Sequence, residues 1–119
     1  MEQEKQRGVG NMDIDPTKAV EYIMKYSGDF AKAKANRIYL ENFLKSKRSI
    51  LMSKSSAKSV AAAEVDAYAD PEYINLLEGL KEAVECEEKI KWMLTAAQLK
   101  VEIWRSLEAT NRSVDSHAR

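Results

Sequence analysis

From Phe30 to about Met52, apolar side chains recur at three- and four-residue steps: Phe30, Ala33, Leu40, Leu44 and Leu51, with Phe43 and Ile50 beside them. Residues so spaced share one side of an α-helix, and the run predicts a long amphipathic helix. A second stripe, Tyr73, Leu76, Leu80, Ala83, Ile90, Leu94, Ala97, Val101 and Trp104, predicts a longer one that reaches about Thr110. Roughly 40 helical residues span about 60 Å. A helix of that length buries its stripe only against another helix, so the predicted fold class is all-α, with the basic helix folded back on the C-terminal one as an antiparallel hairpin.

Local signals set the expected ends. Asp15-Pro16 and Asp70-Pro71 each supply a side-chain acceptor at an N-cap and a ring at the first helical position, where no N–H is needed. The first opens a short N-terminal helix over 16–26 with Val20, Ile23 and Met24 on one face; Ser27-Gly28 ends it and Asp29 caps the long helix that follows. The serine- and lysine-rich stretch 53–59 lacks the stripe and predicts a turn, while the alanine-rich 57–69 leaves both loop and helix open. Residues 14–111 read as one helical domain between a flexible arm, 1–13, and a flexible tail, 112–119.

Three further features bear on packing. Gly79 costs about 1 kcal/mol in a helix interior relative to alanine, which predicts a close crossing of another backbone there. Arg37 and Glu87 interrupt the two apolar seams. Facing positions of an antiparallel pair have a nearly constant sum of residue numbers, 124 for Arg37 with Glu87 and 125 for Lys47 with Glu78, so one register is expected to satisfy both pairs.

Composition narrows the chemistry. The 119 residues are 45% hydrophobic, no apolar run approaches the ~18 residues of a membrane span, and the N-terminus has no apolar signal region. A cytoplasmic protein is expected. One cysteine, Cys86, and one histidine, His117, leave no Cys/His set for zinc, and the acidic run Glu78, Glu82, Glu85 and Glu88 lacks the Glu-x-x-His motifs of helical di-metal proteins. No phosphate loop and no nucleophile–base pair is legible. No enzyme, metal or cofactor is therefore expected, and Cys86 reads as a small half-buried helix residue.

Charge is segregated beneath a net of zero. Residues 30–58 carry Lys32, Lys34, Arg37, Lys45, Lys47, Arg48, Lys54 and Lys58 against Glu41 alone, a net of +7, whereas 64–88 carries nine acids against Lys81, a net of −8. Either the facing helices neutralise each other, or the eight basic groups contact phosphates, with Tyr39 and Phe43 among them. Lys45 and Arg48, off the apolar stripe, are the foremost phosphate candidates; Arg37 and Lys47 are the ones intramolecular pairing would consume. In 90–107, eleven of eighteen residues are apolar, too many for one stripe. Trp92, Leu99, Ile103, Trp104 and Leu107 are accordingly expected at a homo-oligomer interface.

The runs Tyr73-Ile74-Asn75-Leu76-Leu77-Glu78-Gly79-Leu80-Lys81-Glu82-Ala83, Lys91-Trp92-Met93-Leu94-Thr95-Ala96-Ala97-Gln98 and Glu102-Ile103-Trp104-Arg105 resemble small helical proteins of bacteriophage genomes. The order of short helix, basic helix and long C-terminal helix also resembles the UvsY-type phage recombination mediators over about residues 30–108. That resemblance implies an oligomer in the bacterial host cytoplasm that binds single-stranded DNA and a recombination or replication protein. The acidic segment departs from it. The rival reading is a helical adaptor or inhibitor that binds protein, as a DNA mimic through Glu78, Glu82, Glu85 and Glu88 or through its apolar surface, without touching DNA.

Overall fold

The computed structural model describes residues 13–118. They form three helices, α1 over Pro16–Lys54, α2 over Val60–Ala69 and α3 over Pro71–Ala118, with no strand among the described residues. Both aspartate–proline starts cap as their chemistry dictates. Asp15 Oδ1 accepts from the backbone N–H of Thr17 at 3.0 Å and of Lys18 at 3.3 Å, and Asp70 Oδ1 accepts from Glu72 N–H at 2.8 Å. Ser59 caps α2, its hydroxyl accepting from Ala62 N–H at 3.1 Å. The segment 57–69 is thus mostly helix.

Two compact units divide the chain: a central one, Gly28–Lys91, and a terminal one, Met1–Ser27 with Trp92–Arg119. In the central unit α1 and α3 run antiparallel, since Arg37 meets Glu87 whereas Lys47, further along α1, meets Glu72, earlier on α3. The seam uses Phe30, Ala33, Arg37, Leu40, Leu44, Lys47 and Leu51 of α1 and Tyr73, Leu76, Leu80, Ala83, Glu87 and Ile90 of α3, each buried or half-buried. Alternating steps of three and four residues mark coiled-coil packing. Helix α2 docks on this pair through Ala63 and Ala67, the latter fully buried. In the terminal unit the seam positions are Ala19, Ile23 and Tyr26 of α1 and Leu94, Ala97 and Val101 of α3, of which only the two alanines are buried.

Five expectations are corrected. Ser27-Gly28 does not end a helix: α1 is continuous, and neither a separate N-terminal helix nor an Asp29 cap exists. The Ser27 hydroxyl donates back to the Met24 carbonyl at 3.2 Å, and the seam continues in step from Tyr26 to Phe30, which outweighs the ~1 kcal/mol glycine penalty. Val20 and Met24 consequently stay exposed, and Ala19 and Ile23 turn inward. No backbone crosses closely at Gly79, where an added Cβ meets nothing within 4 Å. Lys47 pairs with Glu72 in place of Glu78. Cys86 is exposed. Helix α3 also continues past Thr110 through the expected tail to Ala118, while the expected arm falls, except for Asp13, outside the described residues.

Candidate functional site

The eight basic groups expected at a phosphate-binding surface divide by what they touch. Arg37 holds Glu87 in a two-pronged contact, Nε on Oε2 and Nη2 on Oε1 at 3.1 Å, while its Nη1 bonds both oxygens of Glu41 at 3.1 Å. Parallel N–H donors match a carboxylate's two oxygens, which makes such pairs specific in geometry. The Arg37 hydrogen bond holds the Glu87 carboxyl below its ordinary range, against the opposing effect of burial, and Glu87 with Glu41 holds the guanidinium above its own. Arg48 donates to the Tyr68 hydroxyl at 3.0 Å and reaches Glu64 at 3.4 Å, and its charge is held by Tyr68 first and Glu64 after it. Lys47 is taken by Glu72.

Lys32, Lys34, Lys45, Lys54 and Lys58 are exposed and form no ion pair among the described residues. They do not share a side. Lys32 and Lys34, two residues apart, stand about 160° apart around α1, and Lys45 repeats the direction of Lys34 eleven residues on. Tyr39, Phe43, Ile50 and Lys54 follow Lys32 at steps of seven, four, seven and four, so they continue its face. On that face the Tyr39 and Phe43 rings stack, with centroids 5.9 Å apart and planes 13° from parallel. Lys54 lines a pocket of about 620 Å³ together with Asp66, Asp70 and Glu72.

The acidic segment divides in the same way. Glu64, Glu72 and Glu87 bond cations of α1, whereas Glu78, Glu82 and Glu85 each stand two residues from a seam position, Leu80 or Ala83, and are exposed on the side of α3 turned away from α1. Among the described residues no three His, Cys, Asp or Glu side chains converge on a metal-sized site, and no helix is long and apolar enough to cross a membrane.

One cluster was not legible from spacing. Tyr68 closes α2 and Tyr73 opens α3, and across the Asp70-Pro71 break their rings meet edge to face, with centroids 5.3 Å apart. The Arg48 guanidinium stands 6.0 Å from the Tyr68 ring centre, and its buried Nε has no hydrogen-bond partner among the described residues. Two tyrosines flanking a helix break were the available signal. The cluster ties α2 to α1 and engages the Arg48 guanidinium, although its side chain stays 40% exposed.

The terminal unit presents the residues expected at an oligomer interface. Trp92 is 62% exposed, Leu99 55%, Ile103 38% and Trp104 37%, with Leu107 half-buried. Trp92, Ala96, Leu99 and Ile103, at steps of four, three and four, make one outer stripe opposite the Leu94–Ala97–Val101 seam. Beside it an open groove of about 850 Å³ is lined by Ile14, Lys18, Tyr22, Met93, Ala96 and Lys100, among others. Comparisons with protein-family models, curated proteins and solved structures each return no match.

Proposed function

We propose that the protein is a non-enzymatic, oligomeric accessory factor of DNA recombination or replication, of the phage type its sequence resembles, which binds single-stranded DNA through the lysines of α1 and assembles through the outer stripe of α3. The observation that supports this is the sorting of charge in the central unit. The acids that face α1 are bonded, and the free ladder Glu78, Glu82 and Glu85 points away from it. Exposed lysines are thereby left on α1 without an ion pair among the described residues, although Lys34 lies close enough to Glu87 to help hold its charge and Lys54 shares its pocket with three carboxylates. Arg37, Lys47 and Arg48 are assigned to holding the fold, so the phosphate contacts pass to Lys32, Lys34 and Lys45 of α1 and to Lys58 in the connection between α1 and α2. The working site of such a protein is the bacterial cytoplasm.

Fluorescence anisotropy of labelled single- and double-stranded oligonucleotides at two salt concentrations tests the proposal, with the mass read by light scattering on the same sample. Binding that weakens steeply with salt is expected, because each neutralised phosphate releases counterions. Lys34→Glu with Lys45→Glu should lower it at least tenfold with helical content unchanged. Absence of binding at low salt by a folded sample overturns the nucleic-acid part. The reading as a protein adaptor then takes its place, and it draws on a specific observation: the tryptophans and leucine of α3 are exposed in amounts unusual for a lone chain.

A further inference from the structure

The stacked pair on the Lys32 face goes further than charge. We propose that Tyr39 and Phe43 form a base-stacking platform that makes α1 prefer unpaired nucleobases over a bare phosphate backbone. Tyr39 is 62% exposed, so it contributes little to the seam and stays accessible while its ring lies nearly parallel to that of Phe43. Lys32 precedes Tyr39 by two turns, about 10 Å along the axis, on the same side. A cation beside an open ring face is the combination that single-strand binders use, the cation for phosphate and the ring for the base.

The neighbouring side of α3 keeps this face clear. Glu72 reaches Lys47, which lies one turn beyond Phe43, and Gly79 and Cys86 follow Glu72 at seven-residue steps, so they share its side of α3. Both are small. A Cβ at Gly79 meets nothing within 4 Å, and Cys86 is exposed. Lys54, which shares its pocket with Asp66, Asp70 and Glu72, is left out of the assignment, and Lys32 is the platform's phosphate contact. Duplex DNA buries its base faces in its own stack, so the platform selects single strands.

This inference rests on the nucleic-acid reading, and the experiment separates their failures. Anisotropy is measured for an oligo-dT strand and for an abasic strand of equal length, with the unaltered protein, Tyr39→Ala and Tyr39→Phe, circular dichroism confirming that each is helical. The unaltered protein and Tyr39→Phe should bind oligo-dT about tenfold more tightly than the abasic strand, and Tyr39→Ala should bind both equally. Salt-sensitive binding of both strands with no preference in the unaltered protein, or a preference that survives Tyr39→Ala, overturns the platform and leaves the lysine surface standing. Binding to neither strand overturns both.

Discussion

The central and terminal units are built from the same two long helices and hold themselves together differently. In the central unit a third helix closes on the pair, Leu44, Ala63, Ala67 and Ala83 are buried, and three ion pairs join separate helices: Arg37–Glu87, Lys47–Glu72 and Arg48–Glu64. In the terminal unit Ala19 and Ala97 are the buried described residues, the ion pair Arg105–Glu102 at 3.5 Å lies within a single turn of α3, and Val20, Met24, Trp92, Met93, Leu99 and Val114 stand exposed. One unit spends charge on choosing a register, and the other leaves apolar surface uncovered. A charged pair in a coiled-coil seam discriminates registers better than it stabilises them, because each ion is partly desolvated. Exposed tryptophan and leucine have the opposite bias: they discriminate little and associate strongly.

The largest expected effect follows from that contrast. Leu99→Glu in the terminal unit should weaken self-association about 100-fold, or ~2.7 kcal/mol, because a carboxylate at the centre of an apolar contact must be desolvated. Light scattering against concentration reads it, with circular dichroism held constant; an unchanged mass would show that the stripe is not an interface. Trp104→Ala should act in the same direction. The equivalent change at Leu77, a 42%-exposed residue of the central unit, should leave the mass alone.

Filling the two seams should separate the units by stability. Ala67 is fully buried and Ala97 6% exposed, so Ala67→Leu should cost about 1–3 kcal/mol through overpacking, with Ala97→Leu at the lower end or below because less surrounds it. Urea unfolding followed by ellipticity measures both, and a larger loss at Ala97 would invert the comparison.

A smaller effect is tuned by pH. Glu87 titrates below its ordinary range in the folded chain because Arg37 bonds its charged form, so its contribution is complete above that range and disappears as pH falls through the lowered value. Glu87→Gln should lower the melting temperature at neutral pH and bring variant and parent together in acid. Parallel curves across the whole acid limb would show that the pair does not respond to protonation.

How much of this was written in the sequence depends on the strength of each signal. The Asp-Pro starts and the 3,4 spacing were legible, as was the Arg37–Glu87 pair, because each is short-range or repeated over many turns. Lys47 was matched to Glu78 on residue-number arithmetic alone, yet a long flexible side chain selects among carboxylates over a turn and a half, and it took Glu72. The reading of Ser27-Gly28 as a stop weighed a local preference of about 1 kcal/mol above a seam that continues on both sides. Within the candidate site, the lysine positions were legible but not their allocation. Arg48 has Tyr68 as partner because α2, apolar on most sides, docks through Ala63 and Ala67, and no periodicity in VAAAEVDAYA says which side turns inward.

The smallest effect tests that view of glycine. Gly28 and Gly79 both lie inside helices, and at each an added Cβ meets nothing within 4 Å. With no clash to relieve, alanine at either position removes only the entropy cost of ordering glycine, and each variant should gain about 1 kcal/mol in urea unfolding. The pair also sharpens the contrast between the units, because both glycines belong to the central unit, whose surface is proposed to bind nucleic acid and not to self-associate. Gly79→Ala should therefore stabilise the chain to the same extent at low and high protein concentration. A gain present in dilute solution and lost as the protein assembles would mean that a second copy covers Gly79, and the interface would then extend from the outer stripe of α3 onto the central unit.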